Sequence, residues 1–147
     1  MATVCRSRTL PAPPPAVWAV VSDPRRLAEW WPDVSRVEDI AGDAFTQVLK
    51  TGKGRPVRAD FRLVDSQAPE LLRWTQSLPG TPFERFLRAS DTVIRLAPAA
   101  DGATRVVLAF EHRLRGLSRL GAFMVRGAAK RRLDAALNGL DAVLRPP

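Results

Sequence analysis

The segment TLPAPPPAVWAVVSDPRRLAEWWPDV, which runs from Thr9 to Val34, decides how the chain begins to fold. Residues 3–10 alternate between apolar and polar side chains as a strand does. The prolines that follow interrupt the strand and suit the first turn of a short helix over residues 16–21. The sequence therefore predicts a strand that leads directly into helical structure.

A second short helix is predicted over residues 25–31. Asp23 is a suitable N-cap residue, and Pro24 suits the first helical position. The helix is expected to end at Pro32, because a residue that precedes proline is pushed out of the helical region. The first strand is thus followed by two short helices in succession.

Trp30 and Trp31 stand side by side at the end of this second helix. Adjacent residues of a helix point about 100° apart, so the two rings are not expected to pack against one surface. Trp30 follows Leu27 by three residues, on nearly the same helical face, and is predicted to be the core member of the pair. The role of Trp31 then needs a separate explanation.

Short alternating runs separated by turn signals extend over residues 34–114. In two of these runs the residues on the inward face are Val57, Ala59, Phe61 and Leu63, then Leu72, Trp74, Gln76 and Leu78. Residues 100–102 predict a hairpin turn between strands at 92–96 and 104–114. Alternation with one polar face is typical of an antiparallel sheet that is in contact with water on one side.

After Gly116 the apolar period becomes helical and continues nearly to Arg145. This pattern predicts a long amphipathic helix that lies on the sheet. Ala122, Ala129 and Ala136 recur every seven residues along its buried stripe. Such small residues either let the helix approach the sheet closely or leave room between the two.

The composition is that of an ordinary globular protein, with 147 residues, 46% of them hydrophobic and 26% charged. We predict a single domain over residues 1–147. The sequence has no apolar run of membrane-spanning length and no apolar segment typical of a secretory signal, so we expect a cytoplasmic location. Cys5 and His112 are the only residues of their kinds, which predicts no metal site and no cofactor. We interpret Cys5 as a structural strand residue.

The formal net charge of +8 comes from 23 basic and 15 acidic residues, and only three of the basic residues are lysine. Because the basic residues are scattered over several predicted strands, we interpret them, and the densest cluster Lys130–Arg132, as solvated surface. A nucleic-acid partner is disfavoured, since a single-strand binder needs exposed aromatic rings, whereas Phe61, Trp74 and Phe110 alternate inward.

The segment Thr9–Val34 and the segment IRLAPAADGATRVVLAFEHRLRG, Ile94 to Gly116, resemble the START-like (SRPBCC) superfamily, in particular its polyketide cyclase/dehydrase-like group. The resemblance implies an α+β helix-grip fold. In that fold a curved antiparallel sheet of about seven strands wraps around a long C-terminal helix, and two short helices follow the first strand. It also implies a deep apolar cavity, at whose mouth Trp31 is expected to stand partly exposed and to face the ligand.

The wall of the implied cavity is expected to come from inward-facing residues of the sheet and the long helix. These are Phe61, Leu63, Trp74, Ile94, Leu108 and Phe110 on the sheet, and Val125, Ala129 and Leu133 on the helix. The alternative for each residue is an ordinary place in the core.

Gln76 and His112 are polar residues on otherwise apolar inward faces. A buried polar group without a partner costs about 1–3 kcal/mol, which implies a ligand carbonyl, a water molecule or each other as partner. The resemblance implies that His112 acts as a general base in a cyclase-like reaction. The alternative is a histidine near solvent at the end of a strand. We interpret Asp91 as a charge on the sheet surface.

These features predict a protein that binds a small aromatic, polyketide-like or lipid-like molecule, with cyclase or dehydratase activity as an extension. The alternative is a lipid or quinone carrier that docks on anionic membranes through its basic surface.

Overall fold

The computed structural model describes residues 2–52, 54–116 and 119–145, which form seven strands and three α-helices. The strands are β1 (Ala2–Leu10), β2 (Val34–Ala41), β3 (Ala44–Leu49), β4 (Val57–Gln67), β5 (Leu71–Ser77), β6 (Leu87–Pro98) and β7 (Thr104–Leu114). The helices are α1 (Pro14–Val21), α2 (Leu27–Trp30) and α3 (Arg119–Leu144). Three 3-10 turns lie at Pro24–Arg26, Pro82–Arg85 and Ala100–Gly102.

All seven strands pair antiparallel in one sheet of order β1-β7-β6-β5-β4-β3-β2. The first strand therefore pairs with the last, so that Ala2 lies opposite His112 and Leu10 lies opposite Thr104. Helix α3 packs against β1, β7 and α2. The predicted α+β helix-grip fold, with two short helices between the first two strands, is confirmed.

The segment around α2 explains how both tryptophans enter the interior. Asp23 Oδ1 accepts a hydrogen bond from Arg25 N at 3.0 Å, so the predicted cap is present, although it caps a 3-10 turn that precedes α2. Helix α2 ends at Trp30, and the backbone of Trp31 is extended, with φ −79° and ψ 130°. Because Trp31 has left the helix, the 100° rule no longer separates the two rings. Trp30 is 3% exposed and Trp31 is 5% exposed.

The core lies between the inner face of the sheet and α3. Its fully buried leucine and isoleucine side chains are Leu10, Leu27, Ile94, Leu108, Leu133, Leu137 and Leu140. Near the C-terminal end of α3, Gly139 meets the backbone of Trp30, where a Cβ atom would overlap the carbonyl oxygen. The helix therefore sits close to α2 at this end.

Helix α3 is 26 residues long and carries a buried stripe formed by Ala129, Leu133, Ala136, Leu137 and Leu140. Charged residues occupy much of the rest of its surface. Among the residues that the structure describes, no helix combines the length and apolar character needed to cross a membrane.

Several predicted boundaries differ from the structure. Strand β6 begins at Leu87, five residues before the predicted start, because the segment between Leu87 and Thr92 is too polar to stand out as an apolar run. Helix α1 begins at Pro14, two residues early, since proline fits a first turn. Cys5 is exposed on β1 and is not part of the core.

Candidate functional site

A cavity of about 540 Å³ lies between the inner face of the sheet and α3, within the range usual for ligand sites. Its sheet wall is formed by Gln47, Leu49, Ala59, Phe61, Trp74, Gln76, Leu87, Ser90, Thr92, Phe110 and His112. Helix α3 contributes Val125, Ala128, Ala129, Arg131, Arg132 and Ala135, and the loops contribute Trp31, Pro32, Asp33, Phe83 and Phe86. The exposed lining residues mark the mouth; they are Asp33, Phe86, Ala128, Arg131 and Ala135.

Strand register explains why these sheet residues meet. Phe61 lies opposite Gln76, and Trp74 lies opposite Thr92, which in turn lies opposite Phe110. Side chains alternate between the two faces of a strand, so residues that pair in this way share the inner face. The alternation read from the sequence thus carries over into one continuous wall.

Trp31 joins the mouth of the cavity to its aromatic wall. Its ring centroid lies 6.1 Å from that of Trp74 and 5.9 Å from that of Phe110, both in edge-to-face geometry. Trp30 is outside the cavity and packs edge-to-face on Trp31 at 5.3 Å. The expectation that Trp31 would be partly exposed was wrong, because the extended backbone after α2 turns its side chain inward.

The predicted site residues divide into those that line the cavity and those that do not. Those that line the cavity are Trp31, Phe61, Trp74, Gln76, Phe110, His112, Val125 and Ala129. Leu63 instead lines a smaller cavity of about 130 Å³ that Val21 and Leu27 also border. The other three, Ile94, Leu108 and Leu133, are fully buried in the core and do not line the main cavity.

Position along the strand accounts for this division. Ile94 lies opposite Leu108, two residues along the strands from Thr92 and Phe110. Both pairs face inward, but Ile94 and Leu108 are fully buried, together with Leu133 of α3, as parts of the packed core. The sequence predicted the face correctly, whereas the distance from the cavity depends on where α3 crosses the sheet.

Gln47 is a cavity residue that the sequence analysis missed. It is 1% exposed and lies two residues from Phe45 and from Leu49, on the same face of β3, which was the available signal. Buried residues of β6, Ser90 and Thr92, were also missed, although they continue the alternation that leads to Ile94 and Leu96.

Arg132 also lines the cavity, which corrects its assignment to a solvated face. It follows Val125 by seven residues and Ala129 by three, so it belongs to the stripe of α3 that faces the sheet. Burial lowers the pKa of its guanidinium, and the charge of Asp33 opposes that change. Arginine stays protonated in proteins, so a cation lies at the wall of this cavity.

Four buried side-chain nitrogens have no hydrogen-bond partner among the described residues: Trp30 Nε1, Gln47 Nε2, Trp74 Nε1 and Gln76 Nε2. Three of the four belong to cavity residues. Buried donors are normally paired, since a buried donor without an acceptor costs about 1–3 kcal/mol. Three residues of the cavity wall thus each carry a buried donor that has no acceptor among the described residues.

His112 stacks on Phe110 with ring centroids 5.2 Å apart. Burial lowers the pKa of its imidazole from the ordinary value of 6.5, so the ring is neutral at pH 7. It lies opposite Ser90, on the inner face of the sheet.

The acidic residues next to His112 and Ser90 in sequence lie on the outer face. Arg73 Nη1 donates to Asp91 at 3.0 Å and to Glu111 at 2.9 Å, and this pairing lowers the pKa of the Glu111 carboxyl. Asp91 is thus a surface charge, as predicted. Among the described residues, no group of three or more His, Cys, Asp and Glu side chains is arranged to hold a metal ion.

The chain is similar in fold to several solved structures. A conserved protein from Geobacillus kaustophilus is 19% identical, with a TM-score of 0.77 over 97% of this chain and 94% of that chain. A START superfamily protein from Mycobacterium smegmatis is 11% identical, with a TM-score of 0.78 over 97% and 96%. A protein from Thermus thermophilus is 21% identical, with a TM-score of 0.71 over 96% and 95%.

Identities this low establish the fold alone. No curated protein matches the sequence. The family described as polyketide cyclase / dehydrase and lipid transport matches residues 1–145, which is nearly the whole chain. With this match over nearly its whole length, the chain belongs to the polyketide cyclase / dehydrase and lipid transport family.

Proposed function

We propose that the chain binds a small hydrophobic molecule in the cavity between α3 and the sheet. The observation that carries this proposal is the volume of about 540 Å³. Its wall is largely aromatic, with Trp31, Phe61, Trp74 and Phe110 around one space. A ligand there would remove apolar surface from water on both sides, at about 25 cal/mol for each Å².

The ligand should also carry oxygen atoms that accept hydrogen bonds, as the ketones of an aromatic or polyketide-like molecule do. Gln47 Nε2, Trp74 Nε1 and Gln76 Nε2 are the buried donors that such oxygens would satisfy. Pairing a buried donor removes a cost of about 1–3 kcal/mol, which favours an oxygenated ligand over a pure hydrocarbon.

His112 has a place in this proposal as a hydrogen-bonding group for the ligand. A neutral imidazole can also accept a proton, so a cyclisation or dehydration step would use His112 as its general base. The neighbouring carboxylates of Asp91 and Glu111, however, are turned to the outer face, where Arg73 holds them. Because these acids do not orient the imidazole, we propose binding as the primary function.

The test is a substitution that fills the cavity. Ala129 is 7% exposed and lines the cavity from α3. A phenyl ring at this position would occupy the space of a ligand, so Ala129→Phe is expected to weaken binding of the neutral probe 1-aminoanthracene about tenfold or more. Fluorescence titration measures the affinity, and native mass spectrometry of freshly purified protein should show a co-purified ligand that the variant lacks.

Ala142→Phe is the matched control, because it adds the same ring to an exposed position of the same helix. This control is expected to bind the probe as the wild type does. Equal affinity of the Ala129→Phe protein and the wild type for 1-aminoanthracene, with both folded by thermal melting, would rule out binding in this cavity.

A second candidate function, transfer of a lipid-like ligand at an anionic membrane, is favoured by an exposed apolar patch. The patch consists of Leu120, Phe123 and Met124 in the first turns of α3, which are 69%, 73% and 64% exposed. Arg119 and Arg126 flank it and form no ion pair with any residue in the described part of the chain. Apolar side chains flanked by arginines are typical of a surface that inserts into anionic lipid.

A groove lies beside this patch and adjoins the main cavity. The groove has a volume of about 260 Å³ and is lined by Phe123 and Arg126 at the patch. His112 and Val125 line both the groove and the main cavity. A ligand that leaves the bilayer at the patch would therefore have a short path to the cavity.

Replacing all three patch residues with serine is expected to reduce partition into anionic vesicles about tenfold or more, because it removes the apolar contacts. The measurement is sedimentation with vesicles of phosphatidylcholine that contain about 30% phosphatidylserine. Ile40→Ser with Val64→Ser is the control, since these residues are 43% and 48% exposed outside the patch. Equal partition of the patch variant and the wild type would exclude docking through the patch.

A further inference from the structure

Arg132 is a half-buried cation whose charge has no direct partner. It lines the cavity but forms neither an ion pair nor a hydrogen bond with any residue that the structure describes. Arg73, which is also half-buried, binds two carboxylates on the outer face of the sheet. The two arginines thus have different surroundings, and only Arg132 is left with five unused donors.

The position of Arg132 places its charge in the space that a ligand would occupy. It shares the inward stripe of α3 with Val125 and Ala129, both of which line the same cavity. The nearest acid that acts on its pKa, Asp33, lies beyond ion-pair distance, and loss of solvent contact is the larger influence. A cation that is removed from water needs an anion or strong acceptors in compensation.

We propose that the ligand carries a carboxylate group, which Arg132 binds while the apolar part of the ligand lies against Trp31 and Trp74. This inference rests on the binding function proposed above. Guanidinium groups match carboxylates in a planar, bidentate geometry. The charged residues that line the cavity are Asp33, Arg131 and Arg132, so the lining carries one net positive charge. This charge matches one carboxylate better than the two charges of a phosphate monoester. The expected ligand class is therefore an aromatic or fatty acid.

The test compares an acid and an alcohol of equal chain length, decanoate and decan-1-ol, as competitors of 1-aminoanthracene at pH 7.5. In the wild type, decanoate is expected to displace the probe at a concentration about tenfold or more below that of decan-1-ol. Arg132→Gln is expected to weaken the binding of decanoate roughly 10- to 100-fold and to change the affinity for decan-1-ol by less than about threefold. Arg145→Gln removes the same charge just after the C-terminal end of α3 and should change neither affinity.

Arg132→Lys keeps the charge and should retain most of the preference for decanoate, which checks that the charge and not packing is responsible. Equal displacement by decanoate and decan-1-ol in the wild type would overturn the carboxylate inference, and so would an equal loss for both compounds in Arg132→Gln. In either case continued binding of the neutral probe would leave the cavity function standing. Failure of the probe itself to bind would instead remove the proposed function.

Discussion

Replacing Trp31 with alanine is expected to lower the free energy of unfolding by about 3–5 kcal/mol. The side chain is 5% exposed and packs edge-to-face on Trp30, Trp74 and Phe110. Removing the indole ring would enlarge the cavity between the sheet and α3 and would break three aromatic contacts. Urea denaturation, monitored by far-ultraviolet circular dichroism, measures the change in the free energy of unfolding.

Trp30→Ala should be destabilised by a similar amount, because Trp30 is 3% exposed. Stability alone therefore does not separate the two rings, and phenylalanine variants serve as the controls. Trp31→Phe should weaken 1-aminoanthracene binding several-fold, since Trp31 lines the cavity. Trp30 does not line it, so Trp30→Phe should leave the binding unchanged. A decrease of less than about 1 kcal/mol in the free energy of unfolding of Trp31→Ala would show that the ring contributes little to packing.

The parts of the fold that local periodicity controls were predictable. Strand β7 was predicted with its observed bounds, because Val106, Leu108 and Phe110 alternate with charged or small residues through its whole length. Strand β6 was placed too late, since Ser90, which precedes the predicted start, faces the interior but is polar. The expectation of a curved sheet of about seven strands wrapped around α3 came from the resemblance to a family and not from periodicity, and the order of the strands was not predicted.

The cavity was less predictable than the sheet, because a period of two gives the face of a residue and not its position relative to α3. Phe61, Trp74 and Phe110 line the cavity, while Ile94 and Leu108 share the same face and are fully buried in the core. Whether a residue of this face belongs to the first or the second set depends on where α3 crosses the sheet. This crossing is a tertiary feature, which neither the sequence of the strands nor that of the helix indicates alone.

Polar cavity residues were missed for a different reason. Arg132 was grouped with Lys130 and Arg131 because charge runs are usually solvated, although its spacing from Val125 and Ala129 placed it on the inward stripe. A charged residue at an inward position indicates a functional site, because natural cores avoid unpaired charges. Spacing was the better guide here, and residue type was misleading.

The alanines of α3 have different roles along the helix. Ala129 lines the main cavity, Ala122 lines the groove beside it, and Ala136 is fully buried in the core. Both alternatives considered for small residues therefore occur on one helix. A close approach of α3 to α2 occurs three residues after Ala136, at Gly139, where α3 meets the backbone of Trp30.

Gly139→Ala is accordingly expected to lower the free energy of unfolding by about 1–3 kcal/mol, as overpacking of a tight contact does. The added Cβ atom would overlap the carbonyl oxygen of Trp30 and would lie 3.0 Å from its carbonyl carbon. Both atoms belong to the backbone, so no side-chain rotation relieves the contact and α2 must shift. Because Trp31 follows Trp30 directly, the same shift should weaken binding of 1-aminoanthracene in the cavity. Urea denaturation and probe titration measure the two effects.

Gly127→Ala makes the same chemical change twelve residues earlier in α3 and serves as the control. A Cβ atom there would lie 3.5 Å from a guanidinium nitrogen of Arg131, an ordinary contact with a flexible side chain. Since alanine is the better helix former by about 1 kcal/mol, this variant should be as stable as the wild type or more stable. The opposite signs expected at Gly139 and Gly127 separate close packing from helix propensity. If Gly139→Ala were as stable as Gly127→Ala, the contact between α3 and the backbone of Trp30 would not position the mouth of the cavity.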